Sequence, residues 1–229
     1  MPAPSTAHVA GAAALLVTAG AATMLAGLVA APGSWLAGYV SEAGVTGMPL
    51  AAAYRSGLIA LACGVVLLGV AVRHLCVRVA LLLGVAAVFA AGSAVVPCTP
   101  GCALPPFEPT TVADVVHSAA AIIGLVLLAG AMVLTARTPR FRPAHRRLAA
   151  VAATLIVPLG AALGLTMLLA GRGTLGALLE RAVLVVAVSW LTGAALVSSS
   201  PGAEAVPYRR ALVRGVLAPG QPADRGEPG

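Results

Sequence analysis

The chain has 229 residues, of which 60% are hydrophobic and only 9% are charged, and its formal net charge is +7. Soluble domains carry about 25% charged residues, so this chain cannot cover a water-facing surface with polar groups and must lie in lipid. All 14 basic residues are arginines, and they stand in short connectors between apolar runs, where they act as topology signals. That distribution argues against nucleic-acid binding, which needs a basic face on a folded domain.

Six apolar stretches are long enough to cross a membrane, because a spanning helix needs about 20 mostly apolar residues. Aromatic residues are only 3% of the chain, and the many small residues favour close contact between helices. We therefore predict an all-α, polytopic membrane protein, a six-transmembrane-helix bundle that forms one domain over residues 1–200. The predicted spans, in chain order, are residues 9–30, 53–72, 77–96, 113–136, 148–170 and 178–198.

The first stretch differs from a signal peptide in two respects. Its apolar run is too long, and no Lys or Arg precedes it. We expect it to be retained as the first membrane helix.

Arginines set the predicted orientation. Eleven of them fall on one side, in the second and fourth connectors and in the tail. The positive-inside rule puts this side, and with it both termini, in the cytoplasm of a multi-pass protein of the cell membrane. The tail, residues 201–229, is rich in Pro, Gly and charge and is expected to be disordered. The eleven are Arg73, Arg78, Arg137, Arg140, Arg142, Arg146, Arg147, Arg209, Arg210, Arg214 and Arg225.

The outer side collects acidic residues near the mouths of the helices. Glu42 lies in the first outer loop, Arg55 opens the second helix, and Glu180 and Arg181 open the sixth. Opposite charges this close to lipid are expected to pair, so together they predict a polar mouth that binds a ligand. Each also has a simpler interpretation. Glu42 would be a solvated loop acid, Arg55 would snorkel to headgroups, and Glu180–Arg181 would be an interfacial pair.

Asp114 and His117 are the most informative polar residues. They lie three residues apart at the start of the fourth span, so they share one helix face, and lipid penalises such groups unless they have a role. With Glu42, they are the candidates for acid–base catalysis or headgroup binding. The simpler interpretations are a capping box from Thr111 to Asp114 and a packing histidine bonded to Asp114 or a backbone carbonyl. No His-rich spacing is present, so we expect no metal and no other cofactor.

Two cysteines lie in an outer loop with the sequence PCTPGCALPP, between the third and fourth spans. Pro100-Gly101 fits the centre of a type II turn, which would bring Cys98 and Cys102 close enough for a disulfide. The oxidising outer compartment favours that bridge. A redox catalyst is the alternative, although its cysteines are usually separated by two residues and these are separated by three.

The order of these features resembles a known family. The run Val40-Ser41-Glu42-Ala43-Gly44 follows the first helix, Tyr54 and Gly57 enter the second, and His117 lies early in the fourth. This order is similar to the bacterial integral membrane family of domain of unknown function 998 and, more remotely, to the eukaryotic Frag–DRAM–Sfk group, over about residues 9–198.

That resemblance implies a fold more than a function. The resemblance to the bacterial family implies no particular activity for this chain, whereas the eukaryotic group is associated with lipid remodelling, phospholipid asymmetry and autophagy. By this analogy Glu42 and His117 are the residues to examine. The chain departs from the pattern in its Cys98–Cys102 loop and in its scarcity of aromatic residues, and fold analogy is a weak argument for function.

Three functions compete on the sequence alone. The leading hypothesis is a membrane protein that binds or acts on a lipid or another amphiphile at an outer mouth. The second is a membrane-embedded enzyme acting on an isoprenoid or lipid substrate, such as a terpene cyclase, although carbocations usually need aromatic faces. The third is a proton-coupled transporter, in which Pro158 would break a helix. A purely structural role is the simplest alternative.

The expected partners are membrane lipids and, for the enzyme hypothesis, a hydrophobic small-molecule substrate. The sequence does not give the oligomeric state. The residues predicted to bind the ligand are Glu42, Arg55, Asp114, His117, Glu180 and Arg181.

Overall fold

Six long apolar helices build the protein, because a helix satisfies its backbone polar groups internally and is therefore favoured in lipid. The computed structural model describes residues 5–33, 38–103 and 106–200, and over these residues the chain forms helices and no strand. Each helix is long and apolar enough to cross a membrane. The helices are α1 (Thr6–Ala30), α2 (Ala51–Val72), α3 (Val77–Val95), α4 (Val112–Arg137), α5 (Pro143–Ala170) and α6 (Thr174–Ser199), with a 3-10 helix (Val40–Gly44) between α1 and α2.

The predicted all-α fold with six membrane helices is confirmed, and the chain is a multi-pass membrane protein. Four predicted spans match the helices to within about two or three residues. However, α5 begins at Pro143 and not at residue 148. A proline is well suited to the first turn of a helix. The prediction began later because it followed the apolar run, which does not include the polar residues of this first turn. The tail, with Arg209, Arg210, Arg214 and Arg225, lies outside the described residues, so its disorder stays a prediction.

Each helix packs against its neighbours in sequence, and α6 also packs against α1, which closes the helices into a ring. Because each helix crosses the membrane once, successive helices run in opposite directions. The connectors at residues 73–76 and 138–142 therefore share one end of the ring, which we call the arginine end. The 3-10 helix, the Cys98–Cys102 loop and the turn at residues 171–173 share the other end, which we call the cysteine-loop end.

Small residues set the distance between α1 and α2. A Cβ atom on Gly57 would lie 2.8 Å from the carbonyl oxygen of Gly20, and one on Gly64 would lie 3.0 Å from the carbonyl oxygen of Ala13. These approaches are closer than a side chain allows without a backbone shift. In lipid, where apolar burial gives no net attraction between helices, such close packing is a main source of helix association.

The arginine end of the ring is filled by a continuous hydrophobic core. Leu68, Met132 and Trp190 are each at most 2% exposed, and all belong to it. Burial on α5 stops at Ile156, and beyond it Leu165 and Leu169 are 57% and 72% exposed. The helix continues through Pro158, so the break on which the transporter hypothesis relied is absent from this helix.

Candidate functional site

A cavity of about 540 Å³ occupies the cysteine-loop half of the ring. Residues of α1, α2, α3, α4 and α6 line it, and none of α5 does. This volume is in the range of small-molecule sites, which are mostly apolar and carry a few polar groups. The apolar walls include Met24, Leu58, Leu61, Leu125 and Leu184, and Val65, Leu128 and Leu191 separate the cavity from the core.

The polar groups of the cavity are concentrated towards its cysteine-loop end. They come from the 3-10 helix, from the first turns of α2, α4 and α6, and from the last turn of α3. Because helices of opposite direction meet at this end, residues far apart in the sequence lie close together at this end of the cavity. The side chains at this end are Ser41, Tyr54, Ser93, His117, Glu180 and Arg181, while Ser189 on α6 lines the cavity farther from it.

His117 links α4 to the end of α3. It is 6% exposed, and its Nδ1 lies 2.9 Å from the carbonyl oxygen of Ser93 and 2.9 Å from that of Val96. The last carbonyls of a helix lack partners within the helix, so the imidazole caps α3. The hydroxyl of Ser93 lies 3.2 Å from Nδ1 and 3.4 Å from Nε2, and Nε2 is the nitrogen that the two carbonyls do not contact.

Glu180 and Arg181 fasten the segment after α1 to α6. The Val40 amide donates to Glu180 Oε2 at 2.6 Å, and this amide begins the 3-10 helix, where backbone donors lack local partners. The Arg181 guanidinium donates to the carbonyls of Ala177 at 2.8 Å and Gly38 at 2.7 Å. Both side chains also line the cavity. Glu180 and Arg181 therefore hold the loop in place and contribute to the polar end of the cavity.

Asp114 has a different role. It is fully buried and accepts from the Thr111 amide at 3.0 Å and hydroxyl at 2.7 Å, while the Asp114 amide donates back to that hydroxyl. This is a capping box. Asp114 also accepts from the Thr99 amide at 2.7 Å and from the Thr99 hydroxyl at 2.9 Å. It therefore anchors the Cys98–Cys102 loop to α4 and does not orient His117.

Arg172 interacts with three side chains at the cysteine-loop end. It forms an ion pair with Glu42, its Nη1 lies 3.8 Å from Glu108 Oε2, and its guanidinium carbon lies 5.4 Å from the centre of the Tyr39 ring. We call these four residues the Arg172 cluster. Arg172 was not among the residues predicted to bind the ligand. A lone arginine in the short connector of the acid-rich side was the signal that could have identified it.

The loop between α3 and α4 is closed by its two cysteines. Cys98 and Cys102 lie at disulfide distance, with Cα atoms 5.0 Å apart. The Cys102 amide donates to the Thr99 carbonyl at 2.8 Å, and Gly101 has φ 95°, as the third residue of a type II turn requires. A Cβ on Gly101 would lie 2.8 Å from Arg172 Nη1. The Arg172 cluster therefore rests directly against this turn.

A family profile described as a protein of unknown function (DUF998) matches residues 9–197. The chain belongs to the DUF998 family. The resemblance to the domain of unknown function 998 is confirmed, while the bacterial origin and the remote likeness to the Frag–DRAM–Sfk group stay predictions. No curated protein and no solved structure matches this DUF998 chain.

The six residues predicted to bind the ligand do not all lie at one site in the DUF998 chain. His117, Glu180 and Arg181 line one cavity, whereas Glu42 belongs to the Arg172 cluster. Asp114 holds the loop, and Arg55 is half-buried with its Nε 3.4 Å from the Ala51 carbonyl of its own helix. Four further polar side chains of the cavity were not among the predicted ligand-binding residues: Ser41, Tyr54, Ser93 and Ser189.

Proposed function

We propose that this DUF998 protein binds a lipid or another amphiphile, with the apolar chain in the cavity and the polar group at the cavity's polar end. The observation that carries the proposal is the distribution of polarity within the cavity. Its walls are apolar over most of their length, and its polar side chains are concentrated towards the cysteine-loop end. An amphiphile has the same distribution, so both of its parts meet a matching surface.

The position of the cavity supports access from lipid. Leu25 on α1 and Val185 on α6 line it, and they are 58% and 65% exposed. Both residues lie within membrane helices, so their exposed surfaces face hydrocarbon chains. We therefore expect a ligand to pass between the bilayer and the cavity at these residues, without crossing water.

A substitution that fills the cavity tests the proposal. Ala90 on α3 lines the cavity, and Ala90→Phe places a ring in the space assigned to the apolar chain. We expect the purified variant to retain at least about tenfold less of the amphiphile that co-purifies with the unmodified protein, since even 1.4 kcal/mol of lost binding is a factor of ten. Native mass spectrometry of protein extracted from membranes measures the bound fraction.

Val88→Phe is the matched control. Val88 lies on the same helix, is 69% exposed and does not line the cavity, so the same ring is added on the lipid-facing surface. Its bound fraction is expected to equal that of the unmodified protein. The proposal fails if no amphiphile is enriched on the unmodified protein, or if the two variants lose it equally while both remain folded.

The enzyme hypothesis uses the same cavity, because His117 Nε2 at its polar end is placed to act as a base. Conversion of the bound amphiphile into a new compound would favour it. Among the described residues, Tyr54 is the one Phe, Tyr or Trp side chain that lines the cavity, which gives little support for carbocation chemistry. The transporter hypothesis gains no support, since the core fills the arginine end.

A further inference from the structure

The hydrogen bonds of His117 determine which of its ring nitrogens carries the proton. A neutral imidazole has one N–H donor and one acceptor nitrogen. Nδ1 lies 2.9 Å from two carbonyl oxygens, those of Ser93 and Val96, and carbonyl oxygens only accept. In the neutral ring Nδ1 therefore carries the proton and Nε2 is the acceptor, and the ring lines the cavity.

The other groups at this end leave room for a ligand that donates. The Ser93 hydroxyl is 3.2 Å from Nδ1 and 3.4 Å from Nε2, so its contact with Nε2 is at the outer limit of a hydrogen bond and a ligand donor can approach Nε2 more closely. Glu180 accepts from the Val40 amide at Oε2 and also from the amide and hydroxyl of Ser41, and a carboxylate can accept about four hydrogen bonds in all. Acceptors thus come from α4 and α6 to one end of the cavity.

The charges at this end are balanced. Glu180 and Arg181 both line the cavity, and one negative and one positive side chain give no excess of either sign. The Arg181 guanidinium already donates to the Gly38 and Ala177 carbonyls, unlike an arginine held open for a phosphate. An anionic or cationic headgroup would enter this low-dielectric space without a matching excess of countercharge, which is costly.

We infer that the ligand is an amphiphile whose polar group is an uncharged hydrogen-bond donor, a hydroxyl on an acyl or isoprenoid chain, and that His117 Nε2 accepts its hydrogen bond. This inference rests on the proposed function and adds the chemistry of the headgroup. His117 then has two roles: its Nε2 binds the ligand, and its Nδ1 donates to the end of α3.

Binding of matched probes to the full-length protein in detergent tests the inference. Hexadecan-1-ol and farnesol represent the acyl and isoprenoid sources, and the methyl ether of each has the same chain without the donor. Hexadecanoate and hexadecylamine carry a negative and a positive headgroup. We expect at least one alcohol to bind about tenfold or more tightly than its ether, because the ether leaves the buried acceptor unpaired, and also more tightly than both charged probes.

A variant of His117 separates recognition from folding. In His117→Asn, the side-chain amide can still donate to the carbonyls at the end of α3, as Nδ1 does, but the acceptor at the Nε2 position is lost. The preference for alcohol over ether is expected to fall to about onefold, with thermal stability little changed. If this variant does not fold, the alcohol and ether comparison on the unmodified protein still decides the question.

The outcomes distinguish the two claims. Equal binding of alcohol and ether, or tighter binding of hexadecanoate or hexadecylamine, overturns the inference and leaves the proposed amphiphile site standing. Failure of every probe to bind, with no amphiphile enriched on protein taken from membranes, removes the proposed function and the inference together. An unchanged alcohol preference in folded His117→Asn also overturns the role given to Nε2.

Discussion

Asp114 and His117 begin α4 one turn apart, yet each bonds to a different part of the chain. Asp114 accepts from Thr99 and Thr111, and His117 donates to the end of α3. Both residues therefore tie α4 to the segment that precedes it. A charged residue in a membrane helix usually indicates function, but a carboxylate fully supplied with donors is explained by the fold alone.

Removal of the Asp114 carboxylate should destabilise the protein. Asp114→Ala leaves the Thr99 and Thr111 amides without their acceptor, and we expect a loss of about 2–4 kcal/mol in the free energy of unfolding. Thermal unfolding in detergent measures it, and Cys98–Cys102 should become easier to reduce. Thr110→Ala is the control, because that hydroxyl bonds only the nearby Glu108 carbonyl. An Asp114→Ala protein as stable as this control would contradict the structural role.

The site was partly predictable from the sequence, and the division has a physical reason. The capping box at Thr111 and Asp114 and the turn at Pro100-Gly101 depend on local spacing, so the sequence contains them. The bond from Thr99 to Asp114 spans 15 residues, and that from Val40 to Glu180 spans 140. Such contacts form only when the ring closes, which no local pattern encodes.

At the scale of the helices, close contact between α1 and α2 depends on glycines that face backbone atoms. Gly57→Ala would place a Cβ 2.8 Å from the Gly20 carbonyl oxygen, which forces the two helices apart. We expect destabilisation of about 1–3 kcal/mol, typical of overpacking, measured as a lower midpoint of thermal unfolding in detergent.

Gly84 on α3 provides the control for this substitution. A Cβ there meets nothing within 4 Å, so Gly84→Ala should leave stability unchanged or raise it by up to about 1 kcal/mol through helix propensity. Equal effects at Gly57 and Gly84 would show that packing between α1 and α2 is looser than the structure indicates.

At the scale of the whole molecule, the number of helices follows from hydropathy, and the closure of the ring does not. Apolar runs of sufficient length predict spans because lipid leaves the backbone few alternatives. Contact between α6 and α1 joins the two ends of the helical chain and encloses the cavity. This contact between α6 and α1 depends on the packing of many small side chains. A hydropathy pattern contains no information about that packing.

The orientation in the membrane is open to direct measurement. The arginines predict that the arginine end faces the cytoplasm. Alkaline phosphatase fused after Thr138, at that end, should be inactive, whereas a fusion after Thr110, at the cysteine-loop end, should be active, because the enzyme folds only outside the cytoplasm. These two positions flank the single helix α4. The reverse pattern of activities would place the arginine end outside.

The packed core beyond Val65, Leu128 and Leu191 makes the cavity a blind chamber. Its exposed wall residues, Leu25 and Val185, lie in the cysteine-loop half of α1 and α6. Under the proposed function, the chamber would exchange its amphiphile with one monolayer of the bilayer and not with the other. Its occupancy would follow the composition of that single monolayer, so the same protein would respond differently to two membranes whose total lipid content is identical but whose distribution between the leaflets differs.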